Sequence, residues 1–267
     1  MRVVVKAGGR AIAGNLKGIA ESIAKRATEH RIVFVHGGGD IVSDYSRRMG
    51  VEPKFVTSPQ GIRSRYTDAQ ELEVYVMVMA GKLNKEFVAE LSRLGVKAVG
   101  LSGADGGLLM AERKKRIVVV DERGRKRVMD GGYTGMIVST SPELLDLLTS
   151  NGFTVVVSPI AVSSEGELLN VDGDQAAASI ARALSADVLV LLSDVEGVLL
   201  DGEIVNRLKP QDAIELAQRI GPGMNRKLLL AGEAVSSGVR TAVICNGLSE
   251  DPLRILEEPK GTVIAPQ

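Results

Sequence analysis

Short runs of apolar, β-branched residues alternate along this chain with segments of helical periodicity. Val3, Val4 and Val5 form the first run, and residues 16–29 follow with Ile19, Ile23 and Ala27 on one helical face. Residues 32–35 predict a second strand and 41–49 a second helix. Residues 67–94 form a long amphipathic stretch for which Thr67 and Asp68 supply a cap. Further strands are predicted at 97–101, 154–158, 188–192 and 241–244, and helices at 174–184, 210–219 and 224–237. Strands separated by helices imply a mainly parallel sheet covered on both faces. Residues 113–138 break that rhythm: 117–120 and 127–129 flank the turn Glu122-Arg123-Gly124, a hairpin signature. The expected class is therefore α/β, a parallel sheet with added β-hairpins. No repeat or flexible linker divides it, so the expectation is one compact domain of two lobes, 1–170 and 171–267, with the boundary near residues 170–174.

Composition narrows the function. With 267 residues and 45% hydrophobic content, the chain can bury a sizeable core. Its net charge is zero, which gives no bulk support for nucleic-acid or membrane-surface binding. Cys245 is the only cysteine and His30 and His36 the only histidines, so neither a disulfide nor a Cys- or His-rich metal site is expected. Cys245, His30 and the methionines of the long stretch read as packing residues. Met1 leads straight into a strand, and no apolar stretch has spanning length, so a cytoplasmic protein is expected.

Three glycine clusters follow strands directly: Lys6-Ala7-Gly8-Gly9, His36-Gly37-Gly38-Gly39 and Ser193-Asp194-Val195-Glu196-Gly197. In a parallel sheet such turns lie at the carboxyl ends of strands, where ligands bind. Glycine lets backbone approach a ligand, and a following helix offers free N–H groups to an anion. Three such turns at equivalent positions favour phosphate binding over simple tight turns. Neither a P-loop nor the dinucleotide glycine spacing is present.

Phosphoryl transfer needs positive charge around the moving phosphate. Lys6 ends a buried strand, and Lys227 falls near the start of a predicted helix, where the macrodipole disfavours it unless an anion binds. Asp174 opens another helix and has the chemistry to hold both lysines. Taken singly, Asp174 also reads as an N-cap, with Asp172 competing, and Lys227 as a surface residue, with Arg226 equally eligible.

The ordered pattern Lys6-x-Gly8-Gly9, His36-Gly-Gly-Gly39, Gly61-x-Arg63, Asn170-x-x-x-Asp174-Gln175-Ala176, Ser193-Asp194-Val195-x-Gly197-Val198 and Gly223-Met224-x-x-Lys227 resembles the amino acid kinase family, and within it the acetylglutamate kinases. The resemblance spans almost the whole chain. It implies an open αβα sandwich, with an acceptor-binding N-terminal lobe and an ATP-binding C-terminal lobe. It implies that Lys6 and Lys227 stabilise the transferring phosphoryl group while Asp174 organises them. Gly38, Gly39, Arg63 and Asn170 would hold the acceptor, Arg63 by a fork onto its α-carboxylate. Gly8, Gly9, Ser193, Asp194, Gly197 and Leu199 would line ATP, with Mg2+ on its phosphates and few or no protein ligands to the metal.

Three segments resemble a narrower branch: Ser58-Pro59-Gln60-Gly61-Ile62-Arg63-Ser64-Arg65-Tyr66-Thr67-Asp68, residues 111–116, and Asp130-Gly-Gly-Tyr-Thr-Gly135. They look like archaeal kinases that phosphorylate glutamate or 2-aminoadipate carried on the C-terminus of the acidic protein LysW, in arginine or lysine biosynthesis. Charge agrees independently. Arg113, Lys114, Lys115, Arg116, Arg123, Arg125, Lys126 and Arg127 gather around the hairpin against only Asp121 and Glu122. Such a patch suits docking of an acidic carrier, with Arg113, Lys114, Lys115, Arg116, Arg125 and Lys126 as its core; edge protection of a solvated hairpin is the plainer use. Nucleic acid fits less well, because no aromatic residue lies inside the basic runs. A kinase of free N-acetylglutamate and a non-catalytic nucleotide-binding module remain alternatives. The helix around 71–94, apolar on more than one face through Val74, Val76, Val78 and Met79, suggests a homodimer.

Overall fold

The computed structural model describes residues 1–59, 61, 63–221, 223–258 and 260–266. Gln60, Ile62 and Pro222 of the motifs quoted above lie outside the described residues.

Eight strands form the main sheet: β1 (Arg2–Ala7), β2 (Arg31–His36), β3 (Ala98–Ser102), β4 (Thr154–Ser158), β5 (Val188–Ser193), β6 (Arg207–Leu208), β7 (Thr241–Asn246) and β8 (Thr262–Ile264). Their spatial order is β6-β8-β7-β5-β1-β2-β4-β3. From β7 to β3 all neighbours are parallel; β8 runs antiparallel to β7, and β6 runs parallel to β8. Val3, Val4 and Val5 are all buried, which is why β1 carries apolar residues on both faces.

The helices are α1 (Gly9–Ala24), α2 (Gly39–Arg48), α3 (Ala69–Val76), α4 (Asn84–Arg93), α5 (Glu143–Ser150), α6 (Gly173–Ala183), α7 (Pro210–Ala217) and α8 (Met224–Ser236). One face of the sheet buries Ile19, Ile23, Phe34, Phe87 and Leu91 with α1 and α4. Phe34 and Phe87 stack with centroids 4.2 Å apart. The other face buries Val33, Leu145, Ile180, Leu189 and Leu228 under α5, α6 and α8. The architecture is an open αβα sandwich whose sheet runs unbroken through both expected lobes. They meet where β1 pairs with β5, Val5 opposite Val190.

A second sheet joins Leu168–Asn170, Ile160–Val162, Leu109–Arg113 and Gly135–Thr140. Among the described residues three hairpins stand apart from it: Lys54–Thr57 with Arg63–Tyr66, Arg116–Val120 with Lys126–Asp130, and Leu199–Leu200 with Glu203–Ile204. The basic hairpin thus forms where the sequence places it.

Two helices depart from expectation. The first starts at Gly9, not at residue 16, and breaks its helical dihedrals at Asn15 (φ −152°, ψ 39°). The long stretch is a continuous helical run, but Met77–Leu83 between α3 and α4 is π-helical. Asp68 caps it, accepting from the Glu71 N–H at 3.0 Å. Val74, Val78 and Met79 pack inside the chain with Val42 of α2, so three of the four residues that suggested a dimer face are not available for one. Met77, by contrast, is exposed.

Candidate functional site

The parallel strands β1, β2 and β5 end at one edge of the sheet, and each is followed by a glycine turn. The first two turns touch backbone to backbone. A Cβ on Gly37 would lie 3.1 Å from the Gly9 nitrogen and 3.2 Å from the Ala7 oxygen. A Cβ on Gly38 would lie 2.2 Å from Leu83 Cδ1, which the π-helical stretch seats over that turn. Glycine favours this approach, since a Cβ at either position would crowd its neighbours.

Lys6 projects from the end of β1 into that corner. Its Nζ lies 2.8 Å from Asp174 Oδ1, and Lys227 Nζ reaches the same carboxylate at 2.8 Å from Oδ2 and 3.0 Å from Oδ1. Asp172, not Asp174, caps α6, accepting from the Gln175 N–H at 2.9 Å. The competition between the two aspartates is thereby resolved, leaving Asp174 free to span the lysines. Arg226 is spoken for as well, its Nε being 3.2 Å from Asp172 Oδ1.

The energetics follow from burial. Lys6 and Asp174 are each only 6% exposed. Burial pushes the Asp174 carboxyl up, but Lys6 and Lys227 outweigh it and hold it far below the usual range. Burial pulls Lys6 down, yet Asp174 keeps its ammonium above the ordinary value. Lys227 is pushed below the ordinary value by burial and by the charge of Lys6, which Asp174 does not fully offset. The buried Lys6 and half-buried Lys227 share one carboxylate, so these three groups together carry an uncompensated positive charge. A ligand anion is the natural partner for such a charge.

The third turn frames the other side. A Cβ on Gly197 would meet Thr262 Oγ1 at 2.9 Å, and that hydroxyl accepts from the Val198 N–H at 2.8 Å. Ser193 Oγ donates to Asp194 Oδ1 at 3.3 Å, and Arg10 of α1 ion-pairs with Asp194 at 2.5 Å. Val195, Leu199, Leu200 and Ile204 form an exposed apolar group beside this turn. Both oxygens of Asp174 are occupied by lysines. That carboxylate therefore offers no free oxygen to a divalent cation, which would need ligands from elsewhere.

Asn170 is half-buried, and its Nδ2 donates to Thr67 Oγ1 at 2.8 Å. Arg63 is exposed, with its guanidinium 4.4 Å over the Phe55 ring. It is Arg65, two residues on, that reaches the second glycine turn. Its Nη2 donates to Gly39 O and Ser43 Oγ, both at 2.6 Å, while Nη1 pairs with the buried Glu71. Neither residue of this pair stands out in the sequence, because the burial of Glu71 exists only in the folded chain.

The basic hairpin is rooted beside Asn170. Lys114 N–H donates to Thr134 O at 2.9 Å, Thr134 bridges Asn170, and Asn170 N–H donates to Tyr133 O at 2.9 Å. Arg113 does not belong to a free docking face. It pairs with Glu167 at 2.9 Å, donates to Gly132 O at 2.7 Å and lies 4.2 Å over the Tyr133 ring. Arg125 and Arg127 both pair with Asp121, at 3.1 and 2.9 Å. Among the described residues, Lys115, Arg116 and Lys126 have no ion-pair partner and are exposed. Partial burial and the nearby Arg226 push the Lys114 ammonium below its ordinary value. The strand register puts Arg116, Val118, Lys126 and Val128 on one face, and Val118 and Val128 are exposed.

Comparison with known proteins agrees with this fold. A profile described as the amino acid kinase family matches residues 1–246. The chain is 53% identical over 264 residues to a LysW-aminoadipate/LysW-glutamate kinase of Saccharolobus solfataricus, covering 98% of this chain and 99% of that protein. It is 51% identical over 263 residues to the protein of the same name from Sulfolobus acidocaldarius, covering 98% and 99%. Among solved structures, an N-acetylglutamate synthase of Neisseria gonorrhoeae superposes with TM-score 0.81 at 27% identity, over 100% of this chain and 59% of that one. A carbamate kinase of Giardia lamblia superposes with TM-score 0.71 at 15% identity, over 99% and 98%, a likeness of fold alone.

Proposed function

The chain belongs to the amino acid kinase family, and we propose that it transfers the γ-phosphoryl group of ATP to the side-chain carboxylate of a glutamate or 2-aminoadipate residue carried on LysW. The product is an acyl phosphate. The observation that carries the chemistry is the pair of ammonium groups sharing the Asp174 carboxylate. Negative charge spreads over the equatorial oxygens of the phosphoryl group as it moves, and two fixed ammonium groups stabilise it without reorganisation. Asp174 orients both lysines and lowers the cost of burying them. Gly8 and Gly9 let the backbone approach the phosphates, and Ser193, Asp194, Gly197 and Leu199 line the nucleotide beside the exposed apolar group. Mg2+ enters with ATP and neutralises part of its charge. Gly38, Gly39, Asn170 and Arg63 receive the acceptor, and the Arg65–Glu71 pair holds the second glycine turn in shape.

The names of the relatives and the root of the basic hairpin beside Asn170 support a protein-borne acceptor. An acidic carrier seated on Lys115, Arg116, Lys126 and the Val118–Val128 pair presents its terminal residue close to Asn170. A cytoplasmic location and pairing of two copies belong to the same reading. The test is ADP release with three acceptors: LysW ending in glutamate, LysW ending in 2-aminoadipate, and free N-acetylglutamate. Turnover on either carrier with little on the free acid is expected. Equal or faster turnover on free N-acetylglutamate overturns the carrier assignment.

A further inference from the structure

Helical spacing in the sequence begins at residue 16, yet α1 starts at Gly9 and is broken at Asn15. The break is built from three residues. The Asn15 Nδ2 donates to Gly247 O at 2.9 Å and to Ser249 O at 2.7 Å. Gly14 leaves room for Leu248, whose Cδ2 would lie 2.7 Å from a Cβ there. Gly18 leaves room for the Asn15 carboxamide itself, whose Oδ1 would lie 2.3 Å from a Cβ. A side chain that satisfies two loop carbonyls and forces non-helical dihedrals re-aims the turn that precedes it.

What that turn carries is the phosphate side of the site. Gly8 caps α1 and adjoins Lys6, whose Nζ lies 3.6 Å from the position of a Gly8 Cβ. A Cβ on Gly9 would lie 3.4 Å from the Gly39 nitrogen, and Arg10 pairs with Asp194. The loop that Asn15 grips is itself fixed to the nucleotide side. Gly247 N–H donates to Ser193 O at 2.8 Å, and Asn246 Nδ2 to Glu196 Oε1 at 2.8 Å. Asn15 therefore adds a second tie between the turn at Gly8–Arg10 and the turn at Ser193–Gly197, running through the loop after β7 beside the direct Arg10–Asp194 pair.

We propose that Asn15 is a positioning residue for the nucleotide: by breaking α1 and holding the carbonyls of Gly247 and Ser249, it fixes the direction of the Gly8–Arg10 turn relative to the Ser193–Gly197 turn. Replacement by a good helix former lets α1 run straight and swings the first turn off the phosphates. The inference rests on the kinase reading above.

The test compares Asn15→Ala and Asn15→Asp with Ser22→Ala. Asn15→Asp keeps the shape but turns a donor into a charge facing two carbonyls. Ser22 sews the same loop to α1 beyond the break, its Oγ accepting from the Leu253 N–H at 2.8 Å, and serves as the purely structural control. Binding of a fluorescent ATP analogue, melting temperature, and kcat and KM for ATP and for acceptor are measured on each. Both Asn15 variants should lose roughly 10–100-fold in kcat/KM for ATP, a misplacement effect, with the acceptor KM unchanged. Ser22→Ala should melt lower with wild-type kinetic constants below its transition. The proposal is overturned if the Asn15 variants bind the analogue and turn over ATP like the unmodified protein. It is equally overturned if Ser22→Ala reproduces their kinetic pattern, or if the Asn15 changes weaken ATP and acceptor alike. Failure of the kinase reading looks different: the unmodified protein itself then shows no affinity for the analogue.

Discussion

Lys6 and Lys227 meet on one carboxylate, that of Asp174, with each ammonium nitrogen 2.8 Å from an oxygen. The residues come from β1, α6 and α8, so three separate parts of the sequence must fold correctly to bring them within contact. In the proposed reaction, removing either lysine takes away charge that the transition state needs and the ground state uses less. Lys6→Ala and Lys227→Ala should each lower kcat by about 10²–10³-fold, with the dissociation constant for ATP changed far less. Steady-state kinetics beside equilibrium ATP binding checks this. A kcat near wild type in either variant removes that lysine from the chemistry.

The pH dependence of activity has a definite sign. Burial and Lys6 push the Lys227 ammonium below the ordinary lysine value of 10.5. Activity that needs charged Lys227 is therefore lost as pH rises, beginning below 10.5. Lys227→Arg removes that alkaline limb, since a guanidinium stays protonated, whatever its effect on the absolute rate. A limb that persists unchanged in Lys227→Arg assigns it to another group.

Stability also changes with pH, through His36. Its ring is buried, Nδ1 lies 3.1 Å from Gly37 O, and Nε2 has no partner among the described residues. Burial lowers its pKa from 6.5 to about 4. The unfolded chain thus takes up a proton that the folded chain refuses. Stability is full above pH 6.5 and falls as pH drops towards 4, by about 3 kcal/mol in all. Denaturant melts of wild type and His36→Asn across that range measure it; the variant should show a flatter slope.

The Arg65–Glu71 pair is nearly inaccessible, with side chains 8% and 2% exposed. Glu71→Ala leaves the Arg65 guanidinium buried without its counter-charge and should destabilise the fold by about 3–5 kcal/mol. Urea unfolding gives the number. Glu71→Gln, which keeps the shape and an acceptor, should cost less.

Much of this site is legible in the sequence, for a physical reason. A lysine ending a buried strand before two glycines is costly unless it meets charge, so Lys6 stands out. Three glycine turns after parallel strands indicate a ligand edge before any coordinates exist. What is not legible depends on contacts distant in sequence. Arg65 carries no assigned role in the sequence, because its contact with Gly39, 26 residues away, exists only in the fold. The turn of α1 before Asn15 and the break itself lie ahead of the helical spacing, which starts at residue 16; the contacts of Asn15 with the loop after β7 show them. The same limit applies to Arg113, whose charge counts toward the basic patch in the sequence but is spent on Glu167 in the structure.

That difference sharpens the docking prediction. Arg116→Glu with Lys126→Glu should raise KM for carrier-borne substrate by about tenfold or more at low salt, with little change at high salt and none in KM for ATP. Arg113→Ala should instead lower the melting temperature through loss of its contacts with Glu167 and Tyr133. Unaltered carrier kinetics in the charge-reversed hairpin rule out docking there.

The central claim is that a carboxylate on a carrier becomes an acyl phosphate. Hydroxylamine traps an acyl phosphate as a hydroxamate, which intact-mass measurement detects on the carrier itself. With ATP, Mg2+, hydroxylamine and LysW ending in glutamate or 2-aminoadipate, the protein should convert the terminal side chain to the hydroxamate, and Lys227→Ala should not do so at a comparable rate. ADP release without any hydroxamate on the carrier, or hydroxamate formed equally well by Lys227→Ala, would contradict the account.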